Sequence, residues 1–194
     1  MNSATKVILG VSAVVVVLIV ADLIWWNKLL SKGKVNYPKD AKWATNTKTL
    51  AMVESMHPKL RQKFADFFTE VEKKLGLYVV GTSGLRDTEK QIQLNTENDA
   101  NATAGYSDHE YGFAMDVNVY NKSGQNILRK ATSKKTWLDS GVVAIAKKHG
   151  FKWGGDFNSY HDPIHFYNDF GLPAPDMLAM RKAGKVDKEG YLKV

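Results

Sequence analysis

The chain has 194 residues, with 27 Lys and Arg against 20 Asp and Glu, a formal net charge of +7, five His and no Cys. The lack of cysteine excludes a disulfide framework, a thiolate metal site and a cysteine nucleophile, so any metal must be held by His and carboxylates. With 44% hydrophobic and 11% aromatic residues, the chain can bury a core and does not have a disordered or collagen-like composition.

In chain order, residues 1–6 form a short stub. Residues 7–26 read VILGVSAVVVVLIVADLIWW, with Asp22 as the one charge, which is long enough to cross a bilayer as a helix. Signal cleavage needs small residues at two positions before the cut. The best site, after Ala21, has Ile19 at the other position, so the segment is expected to be a retained anchor. Trp25 and Trp26 suit a membrane interface. Residues 27–48 show no sustained apolar period and are expected to be a tether. One domain then fills 49–194.

That domain opens with a helix from Pro58, whose apolar residues Leu60, Phe64, Phe67, Phe68, Val71 and Leu75 recur at helical spacing before Gly76. A short strand over 77–80, a helix over 88–100 and a polar loop over 101–107 follow. Residues 112–120 alternate strictly, with Met115, Val117 and Val119 on one face and Ala114, Asp116 and Asn118 on the other. After a turn at 121–124 come a helix over 136–149, a strand over 164–167 and a short helix over 177–183. Segregated helices and a small antiparallel sheet make this an α+β fold.

Chemistry gathers in three places: Ser107 to Asp116, His161 to Phe166, and Ser83 to Arg86. A hydrolytic zinc site takes three protein ligands and leaves a position for water. His109, Asp116 and His165 supply such a set, and Asp162 is the candidate base. Asp162 and His165 are three residues apart and would face opposite ways on a straight strand, so they share a site only if the chain turns at Pro163. His161 and His165 would lie roughly 13 Å apart in an extended chain, which leaves His161 to substrate contact or proton transfer. His57 beside Pro58 is expected to be an exposed helix-start residue, and His149 to sit at a helix C-terminus where the dipole favours it. The basic residues are dispersed, without aromatic interleaving, so nucleic acid is not an expected partner.

These residues resemble the zinc-dependent peptidoglycan peptidases of the VanY and D-alanyl-D-alanine carboxypeptidase type, relatives of the hedgehog fold. The family pattern Ser-x-His-x-x-Gly-x-Ala-x-Asp is matched by Ser107, His109, Gly112, Ala114 and Asp116, and its second element by Asp162, His165 and Phe166. The run Trp153-Gly154-Gly155-Asp156-Phe157 looks most like phage endolysins that cleave L-alanyl-D-glutamate bonds. Leu85 and Ile164 depart from the pattern, standing where relatives often carry an aromatic and a Trp.

The resemblance implies one Zn²⁺ on His109, Asp116 and His165, Asp162 as general base and acid, and Arg86 steadying the oxyanion. It further implies substrate contacts from Ser107 and Gln91, and small residues Gly112 and Ala114 keeping the approach to the ligands clear. Peptidoglycan stem peptides are the implied substrate, cut between L-Ala and D-Glu during host lysis, with a D-alanyl-D-alanine carboxypeptidase or an inactive wall-binding module as alternatives. Because that substrate lies outside the cytoplasmic membrane, the single-pass anchor is expected to run N-in, C-out. This overrides the charge bias of Lys28, Lys32 and Lys34 over Lys6. The chain is expected to act as a monomer.

Overall fold

The computed structural model describes residues 35–99 and 101–194. The stub at 1–6, the apolar segment at 7–26 and the tether up to residue 34 lie outside the described residues. Among the described residues, no helix is long and apolar enough to cross a membrane.

Residues 35–194 form one compact unit, so of the tether expected over 27–48 the described part, 35–48, belongs to the folded domain. The chain enters a one-turn helix, α1 (Lys42–Thr45), followed by α2 (Thr47–Ser55), where the Asn46 side chain accepts from Thr49 N. Trp43 is fully buried. Its Nε1 donates to Thr69 Oγ1 at 3.1 Å, and its ring meets Phe68 and Tyr37 at 5.6 and 5.1 Å. Trp43 is the largest of several side chains, Ala41, Ala44, Val53 and Met56 among them, that join this segment to the core.

The main helix, α3 (Pro58–Leu75), has the expected limits, with Pro58 in its first turn and Gly76 in the left-handed conformation at its end. Its apolar stripe is buried from Leu60 to Val71. Each of those phenylalanines contributes about 1.5–3 kcal/mol by leaving water. β1 (Tyr78–Ser83) runs three residues further than expected, and α4 (Thr88–Glu97) is shorter, capped at its start by Asp87. A 3₁₀ turn at Asp108–Tyr111 leads into β2 (Ala114–Tyr120), and β3 (Asn126–Leu128) returns beside it. The expected helix over 136–149 is two helices, α5 (Lys134–Asp139) and α6 (Val142–Lys148). The Ser140 hydroxyl accepts from Val142 N at the break between them. Last come β4 (Lys152–Trp153), a 3₁₀ turn at Gly154–Asp156, β5 (His165–Tyr167) and α7 (Ala174–Lys182).

The sheet is antiparallel in the order β1-β2-β5-β4, with β3 also on β2. β2 shows the expected alternation, burying Met115, Val117 and Val119 while Asp116 and Asn118 stay half-buried. The apolar face packs on α3, α5 and α6 through Phe67 with Phe166 at 5.4 Å, Phe64 with Phe151 at 4.3 Å and Trp137 with Phe166 at 5.9 Å. One face of the sheet is thus core, and the other is free to carry polar side chains.

His57 is not exposed. It is 3% accessible, its Nε2 donates to Leu192 O at 3.0 Å, and its Nδ1 accepts from Lys59 N at 3.2 Å. The ring packs edge-on to Phe113, Phe170 and Tyr191. It therefore caps α3 and ties down the C-terminal segment at once. His149 sits at the end of α6 as expected, but its ring partner is the Glu70 carboxylate of α3 at 2.7 Å.

Two outcomes follow. Trp43→Ala removes an indole from the core and should lower unfolding stability by about 3–5 kcal/mol, measured by urea titration, whereas a true tether residue would have no effect. Burial lowers the His57 pKa below 6.5, outweighing the bond to Leu192. The folded state therefore takes up its proton less readily than the unfolded chain. Its contribution to stability is complete above pH 6.5 and is lost as pH falls below that value towards the depressed folded pKa. His57→Gln keeps a donor for Leu192 and should flatten the fall in Tm between pH 7 and pH 5.

Candidate metal centre and cleft

The sheet register assembles the site. Asp116 on β2 lies opposite His165 on β5 and, across a bulge at the end of β1, opposite Ser83. The 3₁₀ turn preceding β2 brings His109 back over the same face. The ligand atoms of His109, Asp116 and His165 all lie within 4.8 Å of one another. Asp116 Oδ1 is 3.2 Å from His109 Nε2 and 2.9 Å from His165 Nδ1.

Protonation states sharpen this geometry. His109 Nδ1 lies 2.9 Å from Gly84 O, and a carbonyl only accepts, so Nδ1 carries a proton. In the neutral ring the Nε2 lone pair then points at a carboxylate oxygen, and two acceptors this close need a cation or a proton between them. The donor set of two imidazoles and a carboxylate suits zinc. Donors about 2.1 Å from a tetrahedral ion would stand about 3.4 Å apart, close to the separations here. The Gly84 carbonyl fixes the His109 ring, as outer partners of metal-binding histidines commonly do. Burial would raise the Asp116 pKa, but the two imidazoles outweigh it and hold the carboxyl well below the usual range. His165 loses by burial and gains more from Asp116, so its pKa is raised.

Arg86 is held in the same network. Nη2 donates to Asp116 Oδ2 at 3.2 Å, Nε and Nη2 to Ser83 Oγ at 3.1 and 2.9 Å, and Nη1 to Gln91 Oε1 at 3.2 Å. Its backbone N–H donates to His109 O. Four of the five guanidinium N–H groups are engaged, which leaves one on Nη1 for an oxygen in the cleft. Gln91 is 1% accessible, and its amide nitrogen donates to Ala102 O at 2.6 Å. The Gln91 amide thus holds Arg86 from one end and is anchored at Ala102 by the other, while the residue itself lines the cleft.

Asp162 reaches the site by the turn that Pro163 permits. His165 N donates to Asp162 O at 3.2 Å, Asp162 N to Gly154 O at 3.3 Å, and Trp153 Nε1 to Pro163 O at 2.8 Å. Its Oδ1 is buried without a hydrogen-bond partner. Gly154 makes the turn possible, since a Cβ there would stand 2.5 Å from Asp162 O and 2.9 Å from His165 Cβ. Gly112 has a similar constraint. It sits at φ +67°, and a Cβ would lie 2.7 Å from His57 N, whose N–H donates to Gly112 O. Its smallness serves the packing of the His109 turn on α3, and the expected role of clearing the approach to the ligands is corrected.

A cleft of about 220 Å³ joins these groups, lined by Arg86, Ser107, His109, Asp116, Asp162 and His165 together with Lys130 and Tyr160. A larger, open depression of about 650 Å³ between the end of α3 and the β2–β3 turn is lined by Lys73, Lys74 and Lys122 and, among the described residues, holds no converging ligand set. Ser107 also forms a capping box with Glu110, while His161 is exposed, its ring 6.4 Å from Trp153. Sequence reasoning missed Glu110, whose carboxylate accepts from Gly105 N and Ser107 N. Arg181 of α7 clamps the Glu110 carbonyl and lies over the Tyr111 ring. Nothing in the spacing of 110 and 181 signals that contact.

A family model described as D-alanyl-D-alanine carboxypeptidase matches residues 100–168, the stretch that carries His109, Asp116, Asp162 and His165. The peptidoglycan L-alanyl-D-glutamate endopeptidase CwlK of Bacillus subtilis (strain 168) is 33% identical over 122 residues, covering 57% of this chain and 71% of that protein. The chain belongs to the D-alanyl-D-alanine carboxypeptidase family of peptidases. A crystal structure of the Serratia marcescens L-Ala D-Glu endopeptidase ChiX aligns with 63% of this chain and 87% of that one, at 20% identity and a TM-score of 0.49.

Gly154→Ala should displace the Asp162–His165 turn and weaken metal affinity at least tenfold, as read by competition with a chromogenic chelator. Unchanged affinity would mean that the turn has slack.

Proposed function

We propose that the protein is a zinc-dependent endopeptidase that hydrolyses the L-alanyl-D-glutamate bond of peptidoglycan stem peptides. The observation that carries this is the convergence of His109, Asp116 and His165 beside the unpartnered Asp162 Oδ1. The choice of bond is supported by the relative whose name specifies it. When bound, zinc supplies Lewis acidity, which makes water a stronger acid and a carbonyl a better electrophile. His109, Asp116 and His165 would hold it.

The chain's own groups divide the remaining work. Asp162 takes the proton of the attacking water on Oδ1 and returns it to the amine that leaves. Negative charge grows on the carbonyl oxygen as the tetrahedral state forms, and the remaining Nη1–H of Arg86 donates to it. Because Arg86 is already held by Ser83, Gln91 and Asp116, little reorganisation is needed at that moment. Ser107 at the cleft wall is the candidate contact for the substrate backbone, and the exposed His161, between the cleft-lining Tyr160 and Asp162, is a second.

The apolar segment at 7–26 supports a single-pass anchor that leaves residues 35–194 outside the cytoplasmic membrane, where the substrate is. Tethered delivery of a wall-cutting enzyme suits a phage endolysin acting in host lysis. The +7 charge favours approach to acidic wall polymers.

Defined stem peptides analysed by mass spectrometry test the assignment. New D-glutamyl amino termini are expected, whereas release of terminal D-alanine would instead identify a D-alanyl-D-alanine carboxypeptidase, and no cleavage would leave a wall-binding module. Asp162→Ala should retain stoichiometric zinc and lose hydrolysis by about 10²–10⁴-fold, and His165→Ala should lose both. Near-parental turnover in the Asp162 variant would remove it from the base role.

A further inference from the structure

Two cations line the cleft, and they are not equivalent. Arg86 is committed to Asp116, Ser83 and Gln91. Lys130 is exposed, lines the same cleft, and makes no hydrogen bond or ion pair with its ammonium among the described residues. The two carboxylates of the cleft differ in the same way. Asp116 is neutralised by its partners, while Asp162 Oδ1 has none.

The backbone beneath Lys130 is pinned. Thr132 N donates to Arg129 O at 2.9 Å, closing a turn around Lys130. Arg129 N donates to Thr132 Oγ1 at 3.0 Å, and the buried Trp137 donates its Nε1–H to Arg129 O at 3.3 Å. β1 occupies one edge of β2, so β3 and β5 share the other. There Val119 pairs with Leu128 and Asp116 with His165, and Val117 N donates to Ile164 O. The chain leaves β3 towards the end of β2 that carries Asp116, and Lys130 and Asp162 line the same cleft there. A long cationic side chain is thereby delivered from a fixed base to the neighbourhood of the proton-transferring group.

The substrate chemistry proposed above gives this charge something to bind. In an L-alanyl-D-glutamate bond the glutamyl residue supplies the amine, continues the peptide through one of its two carboxyl groups, and keeps the other beside the scissile amide. Asp162 would repel that carboxylate. We infer that Lys130 is a specificity-determining residue that binds the free carboxylate of the residue following the cut and so distinguishes it from the corresponding primary amide. An ammonium offers three donors to a carboxylate. The amide keeps one acceptor oxygen but loses the charge, which costs the greater part of the attraction.

The inference rests on the assigned scissile bond, and the test separates the two. The full chain, purified in detergent and loaded with zinc, is given two synthetic stem peptides that differ only in whether the D-glutamyl residue carries its free carboxylate or a primary amide there. The native protein should favour the carboxylate peptide by about five- to tenfold in kcat/KM, as fits a partly exposed charged contact. Lys130→Met should bring the ratio of the two close to one, and Lys130→Arg should keep most of the preference. A native ratio of one, or a Lys130→Met variant slower on both peptides with an unaltered ratio, overturns the role of Lys130 while the scissile bond stands. Failure of the native protein to cut either peptide between alanine and glutamate overturns the scissile bond, and the role of Lys130 falls with it.

Discussion

One carboxylate organises this protein. Asp116 offers Oδ1 to two imidazoles and Oδ2 to a guanidinium, from a side chain that is only 13% exposed. An anion in such a place is costly unless it is paired. Here the pairing needs positive charge on both sides, from Arg86 and from whatever stands between Oδ1 and the imidazole nitrogens. With His109 Nδ1–H turned to Gly84, its lone pair and the carboxylate face each other, an arrangement that a divalent cation satisfies better than a shared proton. The fold can therefore be read as a scaffold holding three strand-borne or strand-adjacent donors against their mutual repulsion.

That scaffold separates rigid from adaptable parts. The donors and Arg86 rest on paired strands, the 3₁₀ turn and buried side chains, with Phe166 and Met115 beneath them in the core. The cleft wall beyond comes from α4, through Gln91 and Leu94, and from loops: Tyr160 before the Asp162 turn, and Lys130 after β3. Metal binding and proton transfer demand positions held to a fraction of an ångström, whereas recognition of one peptide among related ones can be tuned by side chains on a rim. Family membership accordingly speaks to the first group, and the choice of bond depends on the second.

Much of the site was legible because its residues lie close together in sequence on simple periodic elements. The alternation of β2 assigns Asp116 to the polar face, and Pro163 signals the break that lets Asp162 and His165 meet. The α3 stripe was readable for the same reason, since its helix is long enough to repeat. Short elements carry too little period: α1 is one turn, β3 is three residues, and each is held by contacts remote in sequence. Trp43 docks through Thr69, and β3 through Val119. His57 was misjudged because its capping role at Pro58 is local, while its burial under Tyr191 and Leu192 depends on where the C-terminus returns. Gln91 reads as a substrate contact from its place in the motif, and its bonds to Arg86 and Ala102, which no spacing signals, show that it also positions Arg86.

Glycine makes the same point from the opposite direction. In a motif, Gly112 reads as room left for a substrate, and Gly154 as one glycine of a pair. In the fold each marks a place where two backbones touch: Gly112 against His57 at the start of α3, and Gly154 against the Asp162 carbonyl. The first contact sets the His109 turn on the core helix, and the second sets the Asp162–His165 turn on the end of β4. His109 and His165 come from opposite ends of the motif region, and these two contacts act with the β2–β5 register in placing their rings, whose centroids are 5.0 Å apart. The spacing between the rings therefore rests in part on backbone packing at two glycines, which ties these small residues to the geometry of the candidate metal centre.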